Sequence, residues 1–152
     1  MNVYIATDHG GYELKNEIIK NKIEGINFID LGAEDYNKND DYPIYAKQLA
    51  NELQQDRNSF GILICRSGIG MSIAANKFKN IYAALCFTSL HAKKAREHNN
   101  ANVLCLDSDY GELETHLNIV RTFLESRFDG NQTRHERRFK EIKDIENENF
   151  KD

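Results

Sequence analysis

Residues 61–77, GILICRSGIGMSIAANK, contain the pattern that decides the fold. An apolar run, GILIC, ends at Cys65; two glycines follow at positions 68 and 70, and an alanine-containing segment starts near Met71. The run predicts a buried strand, the glycines a tight turn, and the last segment a helix that begins near Met71. A strand, a turn and a helix in this order are typical of a parallel sheet covered by helices.

Four further apolar runs have the length and the β-branched content of buried strands. They are VYIAT (3–7), INFIDL (26–31), IYAALCF (81–87) and NVLCL (102–106). Helical spacing of apolar or alanine residues appears between and after the runs, at 14–23, 46–53, 89–98 and 113–124. This alternation predicts one domain over 1–152, with a parallel sheet and helices on both faces. We expect the loops after the first and third strands, which carry the reactive side chains, to face each other.

The segment 132–148 is highly charged and has Phe139, Ile142 and Ile145 at a helical interval. It predicts an extra C-terminal helix with a thin apolar face. A partner subunit is a candidate to cover that face.

Composition excludes several classes of function. The 152 residues are 40% hydrophobic and 29% charged, with a net charge of -4, which argues against a basic nucleic-acid interface. No apolar run approaches the roughly 20 residues of a membrane span, and no signal peptide is apparent. The three cysteines, Cys65, Cys86 and Cys105, form no CxxC pair, so no zinc site is indicated. Their odd number predicts reduced thiols in a cytoplasmic protein.

The turn CRSGIG, residues 65–70, does not match three familiar motifs. Ile73 stands where a dinucleotide fingerprint has its third glycine, Met71-Ser72 replaces the end of a Walker loop, and Met71 replaces a phosphatase arginine. What remains is a turn whose backbone N–H groups converge to bind an anion or oxyanion, beside a cysteine suited to proton abstraction next to a carbonyl. From these residues alone, a plain tight turn with a buried Cys65 is an equally good interpretation.

Three further clusters each have two interpretations. Asp8 and His9 suit hydroxyl binding or proton transfer, but Asp8 also suits a helix N-cap. His98 precedes the fifth strand at its amino end, where a histidine favoured by the helix dipole is the simpler interpretation. Arg134 and Arg138 share a helix face and form a potential dianion clamp, although such charge runs are most often solvated faces.

Together the motifs resemble ribose-5-phosphate isomerase type B, within the wider family that includes the galactose-6-phosphate isomerase subunits. The similarity runs in family order over nearly the whole chain. It is carried by ATDHGGYELK (6–15), DYP (41–43), GILICRSGIGMSIAANK (61–77), REHNNANVL (96–104) and TRHERR (133–138).

The resemblance implies a three-layer, Rossmann-like α/β sandwich around a five-stranded parallel sheet, with the extra C-terminal helix. It implies a homodimer or a dimer of dimers with sites at the subunit interface. The implied activity is reversible conversion of ribose 5-phosphate and ribulose 5-phosphate in the pentose phosphate pathway, with neither metal nor organic cofactor. A hexose 6-phosphate of the allose or galactose type is the alternative substrate. A non-catalytic sugar-phosphate sensor is a further alternative, against which the retained site residues argue.

By position, the resemblance also implies roles for single residues. Cys65 corresponds to the base that moves a proton between C1 and C2, and Ser67 to the hydroxyl that assists exchange between O1 and O2. The amides from Arg66 to Gly70, including those of Gly68 and Ile69, correspond to the anion hole for the enediolate.

The remaining roles concern the sugar ring and the phosphate. His98 corresponds to the ring-opening acid and base, with Asp8 assisting it, and Tyr42 and Asn99 to sugar contacts. The phosphate contacts correspond to His9 and to Arg134 and Arg138, with both arginines reaching over from the partner subunit.

Two positions depart from the family pattern. Relatives usually have glycine where this chain has Arg66, and several have an arginine shortly after the fifth strand, where we align Asp109. If that glycine used a positive φ, Arg66 would be strained. We hypothesise that Arg66 partly replaces the positive charge lost at Asp109.

Overall fold

The computed structural model of the protein describes residues 1–150 and contains five strands that alternate with helices. The strands are β1 (Asn2–Thr7), β2 (Asn27–Asp30), β3 (Phe60–Cys65), β4 (Ala83–Leu85) and β5 (Val103–Asp107). The α-helices are α1 (Tyr12–Lys20), α2 (Tyr42–Gln55), α3 (Ile69–Ala75), α4 (Ser89–Asn99), α5 (Leu113–Glu125) and α6 (Arg134–Asn149). One 3₁₀ turn, His9–Gly11, joins β1 to α1.

The five strands form one sheet in the order β2-β1-β3-β5-β4, and every adjacent pair is parallel. Since β1 lies beside β3, and β3 beside β5, the loops after these three strands meet at one edge of the sheet. The prediction that the loops after the first and third strands face each other is confirmed.

The fourth strand is shorter than the predicted run 81–87. β4 pairs only with β5, over Ala83–Leu85. Asn76 donates to and accepts from the backbone of Ala83, and Asn102 accepts from the Tyr82 amide. The side-chain amides of Asn76 and Asn102 therefore supply hydrogen bonds to the backbone at the start of this run, where the strand pairing ends.

Apolar side chains pack on both faces of the sheet and make the three layers. One cluster joins the sheet to α1, α4 and α5 and includes Ile18, Ile64 and Leu117. The other joins it to α2 and α3 and includes Leu63 and Met71. Cys65 belongs to this second cluster. The predicted α/β sandwich is confirmed.

The predicted C-terminal helix is present as α6. It begins after Thr133, whose hydroxyl accepts hydrogen bonds from the amides of His135 and Glu136. Phe139 packs against Tyr82, with ring centroids 4.9 Å apart. The side chains of Ile142 and Ile145 remain 40% and 59% exposed. The apolar face of α6 is thus only partly covered within one chain, and its burial against a partner stays a prediction.

Cys86 and Cys105 are buried and pack in the core as small apolar residues. All three cysteines are free thiols. Burial raises the pKa of Cys86 to about 12 and also raises the pKa of Cys105, so neither is a reactive thiolate. Among residues 1–150, none of the helices is both long enough and apolar enough to span a membrane.

Candidate active site

The glycine turn follows directly on β3. In the sheet, Cys65 at the end of β3 pairs with Asp107 at the end of β5. α3 begins at Ile69, earlier than the predicted start near Met71, because the turn closes at Gly68 with a φ of 72°. A Cβ atom at Gly68 would lie 2.9 Å from the Leu106 carbonyl oxygen, so the site requires glycine on both conformational and steric grounds.

Cys65 lies in a cleft of about 470 Å³ at the carboxyl edge of the sheet. The side chain is nearly buried, with 5% exposed. The cleft is also lined by Asp8, His9, Tyr42, Arg66, Ser67, Ile69, Gly70 and Ile73. The fold therefore brings together predicted site residues from three separate motifs, after β1, at the start of α2 and after β3.

Tyr42 and Ser67 shape the mouth of this cleft. The Tyr42 ring lies against Gly70, where a Cβ atom would come within 2.9 Å of the phenol oxygen. The Ser67 hydroxyl accepts a hydrogen bond from the Ile69 amide at 3.3 Å. Both hydroxyl groups thus border the space above Cys65, where a polar ligand would meet them.

Asp8 is a buried carboxylate that caps the 3₁₀ turn. Its Oδ1 accepts a hydrogen bond from the Gly10 amide at 2.9 Å, so the capping interpretation is right for its structure. Burial raises the pKa of Asp8 above its ordinary value, although the Gly10 hydrogen bond and the His9 charge oppose that shift. Asp8 also lines the cleft, so capping does not remove it from the candidate site.

Asp40 is a carboxylate in contact with the candidate site that sequence reasoning missed. Its Oδ1 accepts from the His9 amide at 2.9 Å and lies 2.7 Å from His9 Nδ1, and its Oδ2 accepts from the Tyr45 hydroxyl at 3.0 Å. Burial alone would raise the pKa of Asp40, but these hydrogen bonds outweigh it and the pKa lies below its usual value. The only signal in the sequence was its position beside the DYP segment.

The two aspartates and His9 are residue types that can bind a metal ion. Asp8, His9 and Asp40 each offer a ligand atom, and these atoms lie within 4.8 Å of one another. The Nδ1 of His9 already contacts Asp40, and the Asp8 oxygen accepts from a backbone amide. The Asp8 Oδ1, the His9 Nδ1 and both oxygens of Asp40 are thus engaged in contacts within the protein.

Arg66 adopts an unstrained backbone conformation. The non-glycine residues with positive φ lie elsewhere, at Lys22, Asn80, Asn100 and Gln132. The Arg66 side chain crosses Gly10, where a Cβ atom would come within 2.5 Å of the Arg66 Cγ. Its Nε then reaches Asp109 Oδ1 at 3.2 Å. The two residues that depart from the family pattern are therefore partners in one ion pair.

A second cavity of about 360 Å³ adjoins the first and shares His9 and Arg66 with it. Asp109 and Glu13 add two carboxylates to its lining. The Ser108 hydroxyl donates to the Gly10 carbonyl at 2.6 Å and ties the loop after β5 to the loop after β1. Arg66 thus lies between the two cavities, with its side chain 69% exposed.

The other predicted residues lie away from this cleft. His98 and Asn99 end α4, immediately before β5, and so lie at the amino edge of the sheet. A strand as long as β5 separates the two edges by roughly 13 Å, at about 3.3 Å per residue. Within residues 1–150 of one chain, His98 is therefore not brought to Asp8 or Cys65.

His98 instead belongs to a cluster with α6. Its ring stacks on His135, with centroids 4.0 Å apart and planes 3° from parallel. Arg134 and Arg138 are exposed on the same helix. Desolvation and the neighbouring His98 lower the pKa of His135. The predicted site residues thus divide between a carboxyl-edge cleft and an amino-edge cluster that contains His98, Asn99, Arg134 and Arg138. His135 joins this cluster, although the sequence did not predict it as a site residue.

A parallel α/β sheet with a glycine turn and a cysteine at its carboxyl edge is typical of enzymes that bind small ligands at that edge. The sequence model of the Ribose/Galactose Isomerase family matches residues 3–142. This chain belongs to that family.

Relatives and solved structures agree with this assignment. The chain is 40% identical over 145 residues to ribose-5-phosphate isomerase B of Escherichia coli K12, with 95% of each protein covered. It is similar to the crystal structure of ribose-5-phosphate isomerase B from Mycoplasma genitalium with bound ribulose 5-phosphate, at 41% identity and a TM-score of 0.91, with 97% of each chain covered. The Clostridium thermocellum ribose-5-phosphate isomerase B gives the same TM-score at 40% identity, covering 98% of this chain and 99% of the other.

Proposed function

We propose that this chain is a single sugar-phosphate isomerase domain that interconverts ribose 5-phosphate and ribulose 5-phosphate. The observation that carries the proposal is the Cys65 cleft, in which a cysteine, a glycine turn and an aspartate-histidine pair meet at one edge of the sheet. Relatives at about 40% identity over nearly their whole length bear the name of this activity.

The proposed proton transfer is centred on Cys65. The Cys65 thiolate removes a proton from one of the two carbons, C1 or C2, and returns it to the other through an enediolate. The backbone amides of residues 66–70 donate hydrogen bonds to the oxyanion as its charge develops. These hydrogen bonds stabilise the transition state more than the bound substrate and so lower the barrier. Ser67 carries protons between O1 and O2, since its hydroxyl can both donate and accept.

The remaining steps require a second chain. We propose a homodimer, or a dimer of dimers, in which His98, Asn99, Arg134 and Arg138 of one subunit approach the cleft of its partner. His98 then opens the sugar ring with help from Asp8, and Tyr42 and Asn99 bind sugar hydroxyls. His9 and the two arginines bind the phosphate, and this remote binding energy orients the sugar over Cys65.

Partner packing is supported by apolar side chains left exposed near both parts of the site. Ile69 and Ile73 of α3 are 53% and 59% exposed beside the cleft, and Ile142 and Ile145 are exposed on α6. Exposed apolar side chains grouped near a site are typical of subunit interfaces.

A hexose 6-phosphate substrate would use the same base and anion hole, so only the extent of the pocket separates the two substrates. The names of the relatives favour the pentose. The sensor alternative is disfavoured because a binding protein has no need of a base beside an anion hole.

The experiment is to follow ketose formation from ribose 5-phosphate and from allose 6-phosphate in parallel. We expect turnover of the pentose to exceed turnover of the hexose, and we expect Cys65→Ala to lose activity on both. Cys86→Ala, which removes a buried thiol outside the cleft, is the matched control and keeps its activity. Lack of turnover of either substrate by the wild-type protein contradicts the proposed function.

A further inference from the structure

We propose that Asp40 is a positioning residue that holds His9 so that its free ring nitrogen faces the phosphate group of the substrate. The inference rests on the proposed function, in which His9 is a phosphate contact. It adds a carboxylate, and the tyrosine behind it, to the residues on which phosphate binding depends.

The contacts between Asp40 and His9 fix both the backbone and the ring of the histidine. A single carboxylate oxygen, Oδ1, accepts from the His9 amide at 2.9 Å and contacts the ring Nδ1 at 2.7 Å. The two residues are 31 positions apart, so this pair joins the loop after β1 to the loop before α2. With the amide and the ring both bound, the imidazole keeps one direction relative to the cleft.

Asp40 is itself held in place. Its second oxygen accepts from the Tyr45 hydroxyl at 3.0 Å, and the Tyr45 ring packs over Gly32, where a Cβ atom would lie only 3.1 Å from the ring. The Asp40 side chain is 10% exposed, against 24% for His9. A carboxylate anchored from behind and mostly shielded from water is suited to orienting a more exposed partner.

The remaining ring nitrogen of His9 is the one available to a ligand. Because Nδ1 is occupied by Asp40, Nε2 on the opposite side of the ring is free to meet a ligand. His9 lines both the Cys65 cleft and the adjoining cavity. When both ring nitrogens carry hydrogen, Nε2 donates to a phosphate oxygen, and the Asp40 carboxylate faces the opposite side of the ring.

Other charged groups near His9 do not supply the same orientation. Asp8 bonds to the Gly10 amide, and Arg66 is paired with Asp109. Glu13 lines the adjoining cavity but makes no hydrogen bond to His9 among the described residues. Asp40 is therefore the carboxylate in contact with the His9 ring.

The experiment is a double-mutant cycle on His9→Ala and Asp40→Ala, read as kcat and KM for ribose 5-phosphate. We expect each single variant to raise KM about ten-fold, the effect of losing a charge-assisted hydrogen bond, with kcat changed less than about two-fold. The double variant should raise KM no further than His9→Ala alone, because Asp40 acts through the His9 ring. Tyr45→Phe should raise KM by a smaller factor in the same direction.

Asp35→Ala is the matched control, since it removes an exposed carboxylate from the same loop. Its KM should equal that of the wild-type protein. Thermal unfolding of every variant separates lost stability from lost positioning: a purely structural role lowers Tm and adds its effect on KM to that of His9→Ala.

An Asp40→Ala variant with unchanged KM, or KM effects that add in the double variant, overturns the inference. If the wild-type protein turns over neither substrate, the proposed function fails separately. The inference is then tested by calorimetric titration of the same variants with inorganic phosphate, where the wild-type and Asp35→Ala proteins should bind more tightly than Asp40→Ala. Equal binding by all of them overturns it.

Discussion

The carboxyl-edge cleft and the amino-edge cluster differ in how far one chain completes them. In the cleft, Cys65 is nearly buried, and Asp8, His9 and Arg66 all have hydrogen-bonded partners. In the cluster, Arg134 and Arg138 are exposed on a helix whose apolar face is only partly covered. The difference is consistent with our proposal that folding orders the proton-transfer half of the candidate site and that association with a second chain supplies the other half.

The largest effect is expected in the cleft. Replacing Cys65 by serine preserves the shape of the side chain but substitutes a much weaker acid for the thiol, so the base is lost at neutral pH. A positioned general base contributes about 10²–10⁴-fold, and we expect kcat to fall by a factor in that range. Steady-state assay of Cys65→Ser checks this value, and a fall of less than about five-fold removes Cys65 from the role of base.

Substitutions in the amino-edge cluster are expected to weaken substrate binding rather than to slow the chemical step. The double change Arg134→Ala with Arg138→Ala removes the two charge-assisted contacts to phosphate that we propose, and we expect KM to rise about 100-fold or more. Arg137→Ala is the control on the same helix, where its Nε lies 3.9 Å from Glu141. Equal KM values for the double variant and the control would remove the arginine pair from the site.

Breaking the ion pair between Arg66 and Asp109 is expected to change KM by an intermediate factor. The Asp109 carboxylate occupies the Arg66 guanidinium and repels a phosphate, so Asp109→Asn should lower KM by about three-fold, which is within the range of an exposed ion pair. Arg66→Gly should raise KM by a similar factor if Arg66 partly supplies the missing positive charge. Unchanged kcat and KM in Arg66→Gly contradict that hypothesis.

The smallest effect concerns stability. Because burial raises the pKa of Asp8, the folded state retains the proton more strongly than the unfolded state. Stability therefore falls as pH rises from the unfolded pKa, about 3.9, through the higher folded pKa. The Asp8→Asn variant keeps an acceptor for the Gly10 amide and avoids this loss of stability as pH rises. Urea unfolding should find Asp8→Asn slightly more stable than the wild-type protein at pH 7, with a smaller advantage near pH 3.

Local patterns in the sequence predict the layers, the neighbouring loops and the glycine turn. Buried strands are contiguous apolar runs, and the turn carries its glycines within six residues, so both are visible locally. The short extent of β4 is not visible, because Asn76 and Asn102 replace ladder hydrogen bonds from outside the run.

The interactions that the sequence hides are those between distant loops. His9 and Asp40 are 31 positions apart, and Arg66 and Asp109 are 43 apart. No periodicity relates such pairs, since only the strand order brings their loops together. The predicted site residues are likewise divided between two edges of the sheet because α4 ends beside the amino end of β5.

The central claim, that each active site combines the cleft of one chain with the cluster of another, is tested by mixing two inactive variants. Cys65→Ala and His98→Ala chains are unfolded, mixed in equal amounts and refolded together. About half of the dimers are then mixed, and each mixed dimer has one fully intact site, so we predict about a quarter of wild-type activity. Activity in the mixture no greater than that of the two variants refolded separately would contradict the account.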